Sequence, residues 1–346
     1  MFFGRNLLYL VSPWNRTSYD YKKWGAQGSP KDGRGDIFQN RIKALEPKLP
    51  VNSGMRRICA ESARYVPAEC REKWLELPVG RIRYLAAGEG DPLVLLHGLL
   101  GYSFSWRRVI GPLAHCRQVV APDMPGSGFS DSMPALDGRL SSAADRLAAF
   151  LDALGISACE IMASSYGGAT ALMLATQQPE RFRRMILVSP ANSWSRIGAK
   201  TIQLLRIPPV RWLVPRLGKR VRFLHDYFLR RLYGDPSAIT PETYRGYSEP
   251  ISLGGRLDHA VRIIQTWNDD MRELRLGLHR AAEIPVLLVW GTQDAAVDLA
   301  SAEELRRNFR TCQIALIDGA GHLPYEERPE DFLRCVTEFL ETKCGR

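Results

Sequence analysis

The sequence predicts an α/β fold: a mostly parallel sheet with helices on both faces, interrupted by an inserted helical cap. Three observations carry this. Short continuous apolar runs such as Pro92-Leu-Val-Leu-Leu96 recur between stretches of helical periodicity, as expected of strands covered on both faces. A turn of small residues, Ala163-Ser164-Ser165-Tyr166-Gly167, joins one such run to a helix of small and apolar residues. Residues 192–280 then abandon the alternation and read as helices broken by Pro208, Pro209, Pro215, Pro236, Pro241 and Pro250.

Residues 1–67 form an N-terminal extension that is poorly organised. Residues 15–35 are rich in Gly, Ser, Lys, Asp and Tyr without a sustained apolar period. Met55 opens a more regular stretch, which makes it an alternative start; the other reading keeps the leader as a disordered arm. The core follows, as residues 68–191 and 281–346. Trp74-Leu-Glu-Leu and Arg81-Ile-Arg-Tyr-Leu alternate at period two around Pro78-Val-Gly80 and read as a hairpin. Strand 92–96 leads into His97-Gly-Leu-Leu-Gly101 and a helix from about Ser105, then strand 118–121 and the glycine-rich turn 123–130. That turn lacks both the G-K-[ST] of a phosphate loop and the G-x-G-x-x-G fingerprint.

Residues 141–154 place Leu147, Phe150, Leu151 and Leu154 on one helical face. The small-residue turn with its strand and helix comes next, then strand 185–188. Helices are expected at 202–207, 221–232 and 257–271 within the cap, residues 192–280. Strand 284–290 ends in Gly291-Thr-Gln-Asp294, strand 312–317 ends in Asp318-Gly-Ala-Gly-His322, and a helix over 332–340 closes the chain. Alternation at this spacing means a parallel sheet, and a cap between two strands sits over the strand ends where ligands bind in open α/β folds.

Composition narrows the classes. The chain of 346 residues accommodates one large domain with an insertion, and an apolar share of 45% fits a globular protein. No apolar run is long enough to span a membrane. The apolar stretch 7–11 is not followed by a convincing small-residue cleavage site, which disfavours a signal peptide. Seven scattered cysteines without C-x-x-C spacing suggest neither a zinc site nor a disulfide framework, and a cytoplasmic location follows. No metal, cofactor or nucleic-acid partner is expected. The net charge of +10 is uneven: residues 1–77 carry 14 basic and 8 acidic side chains and residues 192–280 carry 16 and 8, leaving about −4 elsewhere. A solvated surface accounts for this; the sharper reading is contact with an anionic membrane surface through the cap or the N-terminal segment, or attraction of an acidic substrate.

The chemistry-bearing residues stand at strand ends. Ser165, between the small residues Ala163 and Gly167, is the nucleophile candidate rather than Ser164. A tight strand-to-helix turn would hold its hydroxyl clear of the sheet, at a helix N-terminus that stabilises a developing anion. An unaided hydroxyl is a weak nucleophile at neutral pH, so a base is needed. His322 can take the proton, and Asp294 can fix the tautomer of the imidazole and stabilise its cation. Asp298 is the rival acid; Asp294 could instead cap the next helix.

Taken together, His97-Gly98, Asp123-x-x-Gly126-x-Gly128-x-Ser130, the turn at Ser165, Gly291-x-x-Asp294 and Gly321-His322 resemble the α/β-hydrolase superfamily, in its serine branch with a helical cap. The resemblance covers about residues 74–340 and matches that family's order of Ser, Asp and His. It implies an oxyanion hole made by the backbone N–H groups of Leu99 and Tyr166, and a structural His97 that supports its loop at the pocket. Trp194, at the entrance to the cap, is a pocket candidate.

The same comparison narrows the reaction. Haloalkane dehalogenases and epoxide hydrolases of this fold carry aspartate where Ser165 stands. Proline iminopeptidases resemble G-G-S-W-G there. Carbon–carbon hydrolases typically show H-G-x-G-P-G and a later asparagine, where this chain has His97-Gly-Leu-Leu-Gly101 and Val109. A small-molecule ester or thioester with an apolar acyl or aryl group is therefore expected. The alternatives are an acyltransferase or carbon–carbon hydrolase on the same triad, or a binding scaffold that kept the fold.

Overall fold

A computed structural model describes residues 53–195 and 222–341, together with the single positions 207 and 209. Two strands, β1 (Arg71–Leu77) and β2 (Gly80–Ala87), make the expected hairpin, with Leu77 paired to Gly80 across Pro78 and Val79. Gly80 takes φ +104°, a left-handed backbone that a side chain would strain. The others are β3 (Pro92–Leu96), β4 (Gln118–Pro122), β5 (Cys159–Ser164), β6 (Phe182–Val188), β7 (Val286–Gly291) and β8 (Cys312–Ile317). They form one sheet in the order β1-β2-β4-β3-β5-β6-β7-β8, antiparallel at β1–β2 and β2–β4 and parallel from β4 onward.

The apolar runs explain the layering. Successive strand residues face opposite sides, so a strand buried on both faces must be apolar at every position. Val94, Leu96, Ile161 and Leu187 point to one side, where they meet Leu147 and Leu151 of α3 (Leu140–Ala153) and Leu172 of α4 (Tyr166–Gln177). Leu93, Leu95, Met162 and Ile186 point to the other, against Trp106 and against Phe332, Val336 and Phe339 of α10 (Pro329–Glu341).

Several boundaries differ from expectation for local reasons. Within the extension expected to be poorly organised, α1 (Ser53–Ser62) and a 3₁₀ turn (Ala63–Tyr65) lie where the more regular stretch from Met55 was read. Tyr65 sets its ring edge-on to Tyr102 and Phe104 and stacks on Phe129, at centroid distances of 6.4, 5.4 and 6.1 Å. The helix expected from about Ser105 is a 3₁₀ turn (Ser103–Trp106) followed by the short α2 (Ile110–Ala114), because Val109 has a non-helical φ of −120°. The final helix starts earlier than expected, at Pro329, since proline suits a first helical position where no N–H is needed.

Between β6 and β7 lie α5 (Arg222–Leu232), α6 (Pro241–Ser252) and α7 (Arg256–Gly277). The helices expected at 221–232 and 257–271 correspond to α5 and to a longer α7; the one expected at 202–207 lies outside the described residues. Pro241, read as a break, instead opens α6, where Thr240 caps the helix by accepting from the Thr243 N–H at 3.1 Å. Helix α7 grips the glycine-rich turn: Arg256 donates to the Ser130 carbonyl at 2.7 Å, and Arg262 to the carbonyls of Pro134 and Leu136 at 2.7 and 2.8 Å. The remaining helices are α8 (Ala300–Arg306) and α9 (Pro324–Glu327).

The turn 123–130 closes on a buried ion pair. Arg83 and Asp123 have fully buried side chains, with Arg83 Nη1 at 3.2 Å from Asp123 Oδ2. Arg83 also reaches Glu72 Oε1 and Ser103 Oγ, at 2.5 and 2.8 Å. Asp123 accepts from the N–H groups of Ser103 and Phe129, at 2.9 and 3.0 Å. Gly128, at φ +50°, has no room for a side chain: an added Cβ would sit 2.4 Å from Asp123 Oδ2. Removing one member of a buried pair leaves the other desolvated and unpaired. Asp123→Ala is therefore expected to cost about 3–5 kcal/mol, read as a lowered urea midpoint; a loss under about 1 kcal/mol would mean that Glu72 alone satisfies Arg83.

Candidate active site

Ser165 sits where β5 ends and α4 begins, with φ +52° and ψ −120°, a left-handed conformation that costs an L-residue about 1–3 kcal/mol. Its backbone is pinned by the sheet. The N–H donates to the Val188 carbonyl at 2.9 Å, and its carbonyl accepts from Ala169 and Ala191, at 3.1 and 3.0 Å. The neighbours must be small. A Cβ on Gly167 would lie 2.3 Å from the His97 carbonyl oxygen, and one on Gly168 would lie 2.7 Å from Pro190. Gly98 passes so close that its own added Cβ would be 3.0 Å from Ser165 Cβ and 3.7 Å from Oγ.

Asp294 and His322 follow β7 and β8. His322 Nδ1 donates to Asp294 Oδ2 at 2.9 Å, between side chains that are almost fully buried. Asp294 Oδ1 accepts from the N–H groups of Ala296 and Val297, at 2.7 and 3.0 Å, which fixes the carboxylate. The rival acid Asp298 is spent elsewhere, accepting from the Ala300 N–H at 3.0 Å. Burial pushes the Asp294 carboxyl up, but the charge and hydrogen bond of His322, with the Val297 amide, outweigh it and hold the group below its ordinary range. Ser165, Asp294 and His322 thus share one edge of the sheet, at the ends of β5, β7 and β8. Among the described residues no hydrogen bond joins Ser165 to His322; such contacts are often long before substrate binds.

Tyr166 is the first residue of α4, so its N–H has no partner within the helix. Leu99 lies in the loop beside Gly98, followed by Leu100 at φ +59°. His97 braces that loop. Its Nε2 accepts from the Met124 N–H at 3.0 Å, which leaves Nδ1 to donate to the Gly98 carbonyl at 2.8 Å. With both ring nitrogens engaged, His97 is not available as a base. It lines a partly open cleft together with Leu99, Met124, Tyr166, Arg146, His259 and Ile263, and the cleft adjoins Ser165 through Gly98 and Gly167. Trp194 does not line this cleft; Arg275 of α7 lies over its ring at 5.1 Å.

The family model for the alpha/beta hydrolase fold matches residues 91–329. The chain belongs to the alpha/beta hydrolase fold family. Among relatives of this hydrolase-fold chain, an uncharacterized protein of Mycobacterium tuberculosis is 26% identical over 273 residues, covering 76% of this chain and 79% of its own. A 2-hydroxy-6-oxononadienedioate/2-hydroxy-6-oxononatrienedioate hydrolase of Burkholderia vietnamiensis is 28% identical over 268 residues, covering 75% and 91%. The crystal structure of Cfl2 from Burkholderia cenocepacia shares the fold, with a TM-score of 0.71 at 23% identity over 78% of this chain and 96% of that one. Among the described residues of this family member, no helix is long and apolar enough to cross a membrane, and no group of three or more His, Cys, Asp and Glu side chains is arranged to hold a metal.

Two residues that the motifs did not single out tie the inserted helices to the loop of His322. Glu326, with a fully buried side chain, accepts from Arg107 Nη2 at 2.8 Å, from the Tyr233 hydroxyl at 2.6 Å and from the Tyr247 hydroxyl. Glu327 accepts from the N–H groups of Gly321, Gly234 and Asp235, at 2.7, 2.8 and 3.2 Å. The His322 N–H itself donates to the Leu232 carbonyl at 2.7 Å. An acidic pair soon after the histidine was visible in the sequence, but Arg107 lies 219 positions away, and no local signal connects them.

Two outcomes are expected. Glu326→Ala strands Arg107 in a buried site and should lower stability by about 3–5 kcal/mol, with new protease cleavage between residues 233 and 247 before the core is cut. The lowered pKa of Asp294 makes its contribution to stability present above the unfolded carboxyl value near 3.9 and lost as pH falls through the depressed folded value. Melting temperature followed downward from pH 5 should therefore fall less steeply for Asp294→Asn than for the parent; identical acid limbs would show that the carboxylate contributes nothing there.

Proposed function

We propose that this hydrolase acts on a carboxylic ester or thioester with an apolar acyl or aryl group, through an acyl-enzyme on Ser165. The observation that carries the reading is the buried Asp294–His322 hydrogen bond at the same sheet edge as a serine held in a left-handed turn. A carboxylate on Nδ1 leaves Nε2 of His322 to act as base. The Ser165 oxygen attacks the substrate carbonyl while His322 takes the hydroxyl proton. The carbonyl oxygen becomes an oxyanion facing the N–H groups of Leu99 and Tyr166, at the positive end of α4. Collapse expels the alcohol or thiol, which receives the proton from His322, and leaves the acyl group on Ser165. Water, deprotonated by His322, then attacks the ester carbon, and Ser165 leaves with the proton returned to it. Helices α5–α7 act as the cap that shapes the acyl site.

A carbon–carbon hydrolase is the second reading, favoured by the activity named for the Burkholderia vietnamiensis relative. Against it stand Leu100 and Gly101, where that loop pattern has Gly and Pro, and Val109 in place of the later asparagine. Acyl transfer to an alcohol or amine would use the same steps with a different acceptor.

A fluorophosphonate should label the parent protein at Ser165, and a nitrophenyl ester should give a burst of nitrophenol. Ser165→Ala should lose both while keeping its melting temperature, with turnover lower by roughly 10⁴–10⁶-fold. Asp294→Asn should lower turnover about 10⁴-fold through the wrong tautomer. Cleavage of a 2-hydroxy-6-oxo-dienoate without any ester hydrolysis would overturn the ester assignment in favour of the second reading. A folded protein that no phosphonate labels would remove serine catalysis altogether.

A further inference from the structure

The cleft beside Ser165 is built with more hydrogen-bond donors than the protein itself satisfies. Arg146, on α3, has a side chain only 11% exposed, yet it makes no hydrogen bond among the described residues. Among the described residues its one ion-pair contact is Asp137 Oδ1 at 3.9 Å, the outer limit of such a pair, and Asp145 acts on it from further off. Both oxygens of that carboxylate are already engaged, by the Arg139 N–H at 3.0 Å and the Ser142 hydroxyl at 2.7 Å, and its side chain is 47% exposed to water. The Tyr166 hydroxyl and His259 Nδ1 are fully buried without a hydrogen-bond partner. All three side chains line the same cleft. Burial together with Arg146 and Arg262 lowers the His259 pKa to about 4, so its ring is neutral at pH 7.

A buried polar group left without a partner costs about 1–3 kcal/mol. Such a cluster is a structural liability in the free protein, and a site for a group that accepts from all of it. We infer that the cleft receives a carboxylate carried by the substrate, with Arg146 as its counter-ion and the Tyr166 hydroxyl as a further donor. A carboxylate presents two in-plane oxygens that match the fork of a guanidinium. Leu99, Met124 and Ile263 give the lining an apolar part beside Ser127 and Thr170, and that part suits the hydrocarbon between the carboxylate and the reacting carbonyl. Leu99 and Tyr166 also supply the proposed oxyanion hole, so the carboxylate cleft and the reacting centre share a wall. Asp137 and Asp270 are the acids that act on Tyr166; burial raises the pKa of Asp270, and neither lines the cleft.

This inference rests on the ester-hydrolase reading and names a substrate class for it. Two matched pairs of esters test it. Mono-(4-nitrophenyl) glutarate against 4-nitrophenyl pentanoate places the charge on the acyl side; the butyrate ester of 4-hydroxybenzoate against that of 4-cresol places it on the leaving group. In one pair the parent enzyme should favour the charged ester by about tenfold or more in kcat/KM. Arg146→Met should cut that ratio about tenfold or more, and Arg146→Lys less. Tyr166→Phe keeps the backbone N–H and removes a hydroxyl that has no partner, so it should lower the ratio a few-fold without lowering the melting temperature. Should Arg146→Met not fold, the Lys and Phe variants decide. A ratio near one in both pairs, or one unmoved by these variants, overturns the carboxylate site while leaving ester hydrolysis intact. Failure of the parent to cleave any of the four esters, with Ser165 unlabelled by a neutral phosphonate, instead overturns the ester reading.

Discussion

The left-handed backbone of Ser165 is the constraint from which most of the site follows. An L-residue at φ +52° is strained, and only surrounding structure that over-determines it keeps it there. The sheet does so through the carbonyl of Val188 and through Ala169 and Ala191, which both donate to Ser165. The strain also dictates composition nearby. Gly98, Gly167 and Gly168 stand where side chains would strike Ser165, the His97 carbonyl and Pro190. The loop carrying Leu99 can then approach the serine closely, and the proposed oxyanion hole is a consequence of that approach.

Two buried ionic clusters hold the loops that surround this turn. On one side Arg83 and Asp123 close the glycine-rich turn, and His97 links that turn to the Leu99 loop through Met124. On the other, Glu326 gathers Arg107, Tyr233 and Tyr247, while Glu327 gathers backbone N–H groups from both the His322 loop and the start of the Gly234 segment. Buried ion pairs add little net stability compared with apolar packing, because desolvation offsets the attraction. Their geometry is specific, however. Here it fixes where the inserted helices meet the core, beside the loop that carries His322.

Substrate choice lies in the parts that vary around this frame. The family match over residues 91–329 establishes the hydrolase fold, and the named activity of the Burkholderia relative belongs to that protein. In this chain one wall of the cleft comes from α3 and α7, through Arg146, His259 and Ile263. Those are cleft-lining positions on helices whose backbones the fold supports for other reasons, so they are free to differ without disturbing the turn.

Much of this was legible in the sequence, because the information is local. Continuous apolar runs mark strands covered on both faces, and β4, β5 and β7 are buried at every position. The small residues around Ser165, and the turns after two later strands, mark where Ser165, Asp294 and His322 stand. The choice of Asp294 over Asp298 as the partner of His322 came from the motif and is matched by a 2.9 Å contact. What the sequence could not decide are meetings between distant segments. The aromatic docking of Tyr65, the removal of Trp194 from the cleft to a place under Arg275, and the burial of Glu326 against Arg107 depend on side chains brought together only by folding. Periodicity and turn chemistry act over a few residues, whereas desolvation and ion pairing depend on everything packed around a group. The chain alone therefore determined the sheet and pointed to Ser165, Asp294 and His322 as candidates, and only the tertiary structure decided which charges were buried, which were paired, and which were left facing the cleft.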